Sequence, residues 1–284
     1  MPSLSVLALA RSFLFVPADR PERLARALAS GAGAVIVDLE DAVAPDQKEA
    51  ARLALAQGFG ALTSAERARL LVRINAAGTP WHAADLALLG TLAAQGLGGV
   101  MLPKSEDPAD LQRLAQAVGP ACGLLPLIES GAGLDALDAL AACPQVLRLA
   151  FGHLDFQADL GLACEADEAE LLPVRLALVQ ATRRAGLAPP VDGVTTALGD
   201  GARLAADVAR AKRGGFGAKL CIHPSQIAVV EAAFAPSAEE LQWARRVREG
   251  MQAAGGGVFR LDGRMVDAPV LRLAERLLAA GQPP

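Results

Sequence analysis

The side chains best suited to chemistry in this sequence stand at the ends of short apolar runs. Residues 35–37 stop at Asp38, Glu40 and Asp41, residues 70–74 carry Arg73 and stop at Asn75, and residues 99–102 stop at Pro103 and Lys104. Residues 124–128 stop at Glu129, and residues 147–151 stop just before His153 and Asp155. Glu129 and Asp155, from consecutive runs, form a donor pair for Mg²⁺, a hard cation that takes oxygen ligands and keeps several waters. The alternative for each is a helix cap or an arginine partner. Arg73 at the same opening suits a substrate carboxylate, gripped by parallel hydrogen bonds, or negative charge developing on a carbonyl. It can also pair with Asp38 or Glu40 and simply stiffen the rim. Three neighbouring acids, Asp38, Glu40 and Asp41, do not all ionise cheaply in an enclosed site without cations. They are read as supports that orient Arg73 or metal-bound water, with a solvated acidic loop as the alternative.

Lys104 raises the chemistry of a Schiff-base aldolase, in which a neutral amine attacks a carbonyl. Pro103 before it, and acids that would keep it protonated, favour a cationic contact to substrate or a salt bridge. His223, in Cys221-Ile222-His223-Pro224, is a substrate contact at the same rim or a hydrogen-bonded structural group, as is His153. His82 beside Trp81 reads as a loop residue. Ser130-Gly131-Ala132-Gly133 opens a helix with small residues, which would let backbone N–H groups approach an anion. No G-x-S-x-G, H-E-x-x-H, P-loop or G-x-G-x-x-G pattern occurs.

These groups need a scaffold that gathers strand ends at one mouth. Eight strands are predicted, at 13–16, 35–38, 70–74, 99–102, 124–128, 147–151, 190–192 and 218–222. Most are continuous apolar runs, the pattern of strands buried on both faces. Amphipathic stretches at 21–29, 48–62, 83–95, 108–118, 132–142, 168–185 and 201–213 alternate with them. Eightfold strand–helix alternation predicts a TIM (β/α)8 barrel, with every strand C-terminus around one pocket. Residues 1–235 are assigned to this barrel and 236–284 to a C-terminal extension that packs on the barrel or on a neighbouring subunit. The extension is predicted to contain a helix over 237–251 capped by Ser237, a hairpin over 258–266 turning at Asp262-Gly263, and a last helix from about Pro269.

The composition of the 284 residues is 52% hydrophobic, enough for a substantial core, and the net charge of -4 argues against nucleic-acid binding through a basic surface. No apolar run approaches the roughly 20 residues that span a bilayer. The four cysteines form no C-x-x-C pair, which speaks against structural zinc and a disulfide framework and fits a reducing cytoplasm. Residues 4–10 are apolar and end in Ala8-Leu9-Ala10 like a signal-peptide cleavage site, but lack a charged n-region, so a cytoplasmic location is expected.

In these segments the chain resembles the citrate lyase beta-subunit-like family, within the HpcH/HpaI aldolase group of TIM barrels. The matching stretches are Arg11–Pro17, Val35–Val43 (with Asp38-Leu-Glu-Asp41), Val72–Asn75, Leu102–Lys104, Leu127–Glu129, Phe151–Asp155 with Asp159–Gly161, and Lys219–Pro224. The resemblance implies reversible carbon–carbon cleavage of a citryl, malyl or citramalyl thioester carried on coenzyme A or an acyl-carrier protein. The 2-oxo acid product (oxaloacetate, glyoxylate or pyruvate) would chelate Mg²⁺ held by Glu129 and Asp155, and Arg73 would contact it. The resemblance also implies that an aspartate from a neighbouring subunit handles the proton of the thioester enolate. Asp267, in Met265-Val266-Asp267-Ala268-Pro269, is the candidate, with a helix N-cap as its other reading. A homotrimer or dimer of trimers is implied as well. Malate-synthase-like or malyl-CoA thioesterase activity, or a non-catalytic subunit working only beside a carrier protein, are the alternatives.

Overall fold

A strand covered on both faces needs apolar side chains on both, and the eight short runs meet that need. In the computed structural model, which describes residues 5–281, they form β1 (Ser12–Pro17), β2 (Ala34–Asp38), β3 (Leu70–Arg73), β4 (Gly99–Leu102), β5 (Gly123–Ile128), β6 (Ala150–Phe151), β7 (Val191–Asp192) and β8 (Ala218–Cys221). They pair in sequence order as a closed barrel, with β8 returning to β1, and every pairing is parallel. The helices are α1 (Val6–Leu9), α2 (Pro21–Leu28), α3 (Lys48–Phe59), α4 (Ser64–Ala68), α5 (His82–Ala94), α6 (Pro108–Val118), α7 (Gly131–Asp135), α8 (Leu137–Ala141), α9 (His153–Leu160), α10 (Leu172–Arg184), α11 (Gly201–Arg213), α12 (Ile227–Phe234), α13 (Ala238–Ala253) and α14 (Ala268–Ala280).

One apolar cluster draws on every strand, including Phe13, Ile36, Leu71, Met101, Leu127 and Leu220, with the fully buried Leu7 of α1 joining it. Side chains two residues apart share a strand face. The face that carries this cluster therefore continues to Phe15, Asp38, Arg73, Glu129, Gly152 and Ile222 at the C-terminal strand ends, and all of these line one cavity. Strand parity thus decides which side chains reach the mouth.

Three local expectations are corrected. The sixth strand pairs only over Ala150–Phe151 rather than from residue 147. Pro189 and Pro190 offer no N–H, and the buried Arg148 guanidinium, not a main-chain amide, takes the Pro189 carbonyl at 2.6 Å. The helix expected over 132–142 breaks at Ala136 into α7 and α8. His82 is the first residue of α5 rather than a loop residue, and its Nδ1 lies 2.8 Å from the Asn75 carbonyl oxygen. In the apolar N-terminal segment, Val6–Leu9 is helical, while Leu4 lies outside the described residues.

The chain divides into two compact units, residues 1–231 and 232–284. The second contains α13, whose N-cap Ser237 and Glu240 form a reciprocal capping box. The antiparallel hairpin follows, β9 (Phe259–Leu261) and β10 (Arg264–Val266), then α14. Ala244, Val247, Met251, Val266 and Ala274 make its own small core.

Candidate active site

The cavity at the barrel mouth has a volume of about 340 Å³ and carries Asp38, Asp41, Arg73, Glu129 and Asp155 on its wall. Asp38 and Arg73 are register partners on β2 and β3. Arg73 Nε and Nη2 donate to the two Asp38 carboxylate oxygens at 2.7 and 2.6 Å. The Glu40 and Ala42 amides donate to the same two oxygens at 2.9 and 3.1 Å. Arg73 Nη1 also lies 3.0 Å from Glu40 and 3.4 Å from Asp41, and its guanidinium stacks 4.8 Å above the Phe15 ring. The three expected supporting acids therefore all converge on Arg73. Burial works against the guanidinium's charge, but the bonds to Asp38 and the fields of Glu40 and Asp41 outweigh it and raise its pKa.

Glu129 extends from β5 and is only 4% exposed. Its Oε1 accepts the Lys104 amide at 2.7 Å. Lys104 has φ +46°, a left-handed conformation that side chains resist, and this turn aims the amide at the carboxylate. Burial pushes the Glu129 pKa up to about 8, with the negative fields of Glu40 and Asp155 adding to the rise. Burial likewise raises Glu40 to about 7, against the pull of Arg73. Asp155 lies in the first turn of α9, exposed on the cavity wall.

Five acids (Asp38, Glu40, Asp41, Glu129, Asp155) thus meet Arg73 and Lys104 around the mouth, with Lys48 buried behind the acidic turn, and Arg73 is already engaged. Glu129 and Asp155 are the acids without a cation at bonding distance among the described residues, so the donor set fits a divalent ion that takes carboxylates and waters. No group of three or more His, Cys, Asp and Glu is arranged for a metal among the described residues, so a divalent ion here would take its remaining ligands from water and substrate.

Other expected residues fall differently. The Lys104 ammonium is 53% exposed and sits 3.6 Å from Glu40. Burial would lower its pKa, yet Glu40, Glu129, Asp41 and Asp155 together raise it, which removes the neutral amine a Schiff base requires. His223 is exposed, its Nδ1 lies 2.8 Å from Ser225 Oγ, and it is not on the cavity wall. His153 is buried, with Nε2 3.7 Å from Glu168. The small residues after Glu129 form no anion cradle, because the Gly131 amide is taken by Asp159 at 2.8 Å and the Gly133 amide by Ser130 at 3.1 Å. Asp267, in the second unit, caps α14, its side chain accepting the Val270 amide at 3.3 Å.

Two glycines escaped the sequence reading. A Cβ on Gly152 would lie 2.6 Å from Glu129 Oε2, and one on Gly193 would lie 2.1 Å from His153 Nδ1. Gly152 gives Glu129 its room, and Gly193 lets the α9 N-terminus that carries Asp155 settle against the barrel. Glycines at strand ends are common in turns, so only the folded chain distinguishes these two.

The HpcH/HpaI aldolase/citrate lyase family model matches residues 11–224, the span that supplies every wall residue of the cavity. The chain belongs to this family. The citrate lyase subunit beta-like protein of Mycobacterium tuberculosis is 39% identical over 281 residues, 97% of each chain. The (3S)-malyl-CoA thioesterase of Cereibacter sphaeroides is 32% identical, covering 96% of this chain and 94% of its own. Among solved structures, CitE from M. tuberculosis in complex with magnesium, acetoacetate and coenzyme A superposes with a TM-score of 0.81 at 38% identity, covering 97% of this chain and 99% of that one. Its membership of the HpcH/HpaI aldolase/citrate lyase family makes carbon–carbon bond chemistry the frame for the site.

Proposed function

We propose that this chain is a Mg²⁺-dependent carbon–carbon lyase of the citrate lyase beta type. It cleaves a citryl, malyl or citramalyl thioester, on coenzyme A or an acyl-carrier protein, into a 2-oxo acid and an acyl thioester. The observation that carries the reading is the shared wall of one cavity, with Glu129 and Asp155 beside Arg73. Glu129 and Asp155 would hold the metal, which would supply positive charge beside the deprotonated hydroxyl oxygen that becomes the oxo-acid carbonyl. Arg73, fixed by Asp38, holds the oxo-acid carboxylate. In the cleavage direction the hydroxyl proton passes to solvent water at the mouth, its carbon becomes a carbonyl, and the electrons of the broken C–C bond pass to the carbon beside the thioester. That enolate carbon then takes a proton from Asp267 of a neighbouring protomer. Lys104 and Glu40 complete the charge balance at the rim, and His223 contacts the more distant part of the substrate.

The reading extends to a homotrimer or dimer of trimers in the cytoplasm. The cytoplasmic part is supported by four free cysteines; among the described residues no helix is long and apolar enough to cross a membrane. A second reading, thioester hydrolysis, is favoured by the likeness to the malyl-CoA thioesterase. Purified protein with Mg²⁺ is offered citryl-, malyl- and citramalyl-coenzyme A, and both 2-oxo acid and free thiol are measured. Oxo acid without free thiol supports the lyase. Stoichiometric free thiol without carbon–carbon cleavage supports the hydrolase, and turnover of none of the three, either on coenzyme A or on an acyl-carrier protein, overturns the thioester assignment.

A further inference from the structure

The turn that carries the acids has its polar backbone groups sorted to two sides. The Glu40 and Ala42 amides face Asp38. The Leu39 and Glu40 carbonyls face away, toward Lys48 of α3, whose Nζ donates to them at 2.7 and 2.6 Å. Lys48 is only 4% exposed, and its ammonium also lies 5.2 Å from the centre of the Trp81 ring. The Leu39 carbonyl takes a second donor, Asn75 Nδ2, at 3.0 Å, and Asn75 is itself held by Asp85 at 2.6 Å.

Burying an ammonium against carbonyl oxygens is expensive, whereas an unbranched apolar side chain of similar length would fill the same space without desolvation. Packing alone therefore gives no reason for a lysine here. The Glu40 carbonyl also accepts the Val43 amide at 3.0 Å, so each carbonyl has a second donor; what the ammonium adds is direction, because one cation draws both successive carbonyls to the same side of the turn.

We propose that Lys48 is a positioning residue for 2-oxo acid binding. It holds the Leu39 and Glu40 carbonyls on one side of the turn, so that the amides across the turn grip Asp38 and Asp38 fixes the Arg73 guanidinium at the cavity wall. This rests on the reading that Arg73 holds the oxo acid. Lys48 touches neither Glu129 nor Asp155, so its loss weakens oxo-acid binding and spares the metal.

The test is a pair of calorimetric titrations on the full chain. Pyruvate, glyoxylate and oxaloacetate are titrated into wild-type protein with Mg²⁺, and the tightest binder is carried forward. Lys48→Met is expected to raise the dissociation constant of that acid at least about tenfold, the scale of a lost hydrogen bond to a charged group, with Mg²⁺ affinity unchanged. Should the methionine variant fail to fold, Lys48→Gln, which keeps one donor without the charge, is read in the same two titrations. A folded variant that binds the acid as tightly as wild type overturns the role of Lys48 alone. Parallel losses for acid and metal overturn it too, since they mark a general loosening. Wild-type protein that binds none of the three acids overturns the functional reading and the role of Lys48 with it.

Discussion

Replacing Gly152 with alanine adds one methyl group beside Glu129 and asks whether that carboxylate needs its present place. The φ of Gly152 is −92°, outside the left-handed region, so the demand for glycine here comes from contact rather than from backbone freedom. The new Cβ would lie 2.6 Å from Glu129 Oε2, 2.7 Å from Glu129 Cβ and 3.4 Å from Leu127 Cγ. Carbons in good contact sit about 3.5–4.0 Å apart, so the overlap with Glu129 Cβ is roughly 1 Å. The carboxylate can swing away, but its Cβ moves only with the end of β5. Overpacking of this kind costs about 1–3 kcal/mol.

That strain has two outlets. If the strand end yields, Glu129 leaves its place and Mg²⁺ affinity falls by ~5–150-fold, the same energy at a factor of ten per 1.4 kcal/mol. If the strand holds, the cost stays in the fold, and Tm drops by roughly 2–4 °C per kcal/mol for a domain of this size. Calorimetric Mg²⁺ titration with pyruvate present, and thermal unfolding of the same preparation, read both outlets. Gly199→Ala is the control, because no atom lies within 4 Å of its added Cβ. A Gly152→Ala protein that matches wild type in both metal affinity and Tm refutes the steric argument and the placement of Glu129 with it.

Arg73→Lys loses the two-point grip on Asp38, and the oxo-acid dissociation constant is expected to rise ~10–150-fold, corresponding to about 1.5–3 kcal/mol; an unchanged constant by calorimetry rejects Arg73 as the acid's anchor. Metal removal by a chelator is expected to abolish oxo-acid binding, because the charge of Arg73 is already met by Asp38, Glu40 and Asp41; full-strength binding in chelator counts against the metal bridge. Burial lifts Glu129 to about 8, so metal must displace a proton below that pH, and Mg²⁺ affinity is expected to climb through neutral pH and level off above about 8. The same shift makes the metal-free fold lose stability as pH rises from about 4.5 to 8, since the native state holds a proton there that the unfolded chain has released. The metal trend should flatten in Glu129→Gln, and the stability loss should shrink to the part that ends near 7, which belongs to Glu40; persistence of both at full size in that variant assigns them elsewhere. Asp267→Asn retains the cap on α14 and should keep Tm near wild type while stopping exchange of the acyl-thioester α-proton with solvent; wild-type exchange by NMR leaves only the capping role.

The barrel was legible because strands buried on both faces leave continuous apolar runs, and because the helices between them keep their amphipathic period. All eight strands and the capped helices at 108–118 and 201–213 follow from those two signals. The sixth strand is shorter than its apolar run, because Arg148 reaches the carbonyl of Pro189, a residue 41 positions away. Nothing in an apolar run announces that its neighbour's acceptor will be taken by a side chain.

The site divides along the same line. Side chains that reach the mouth by strand parity, Asp38, Arg73 and Glu129, are readable because each sits two residues beyond a core position on its own strand. Residues that act by filling or emptying space between segments leave no such trace. Lys48 looks like any basic residue at a helix start, and Gly152 like any glycine in a turn. The Lys104 main chain looks like an ordinary loop, yet its left-handed turn delivers the amide that orients Glu129. Lys104 was singled out for its ammonium, whose half-exposed position and raised pKa suit only a charge contact. A sequence displays side chains and conceals amides, so the part of this site built from main-chain groups had to come from the folded chain.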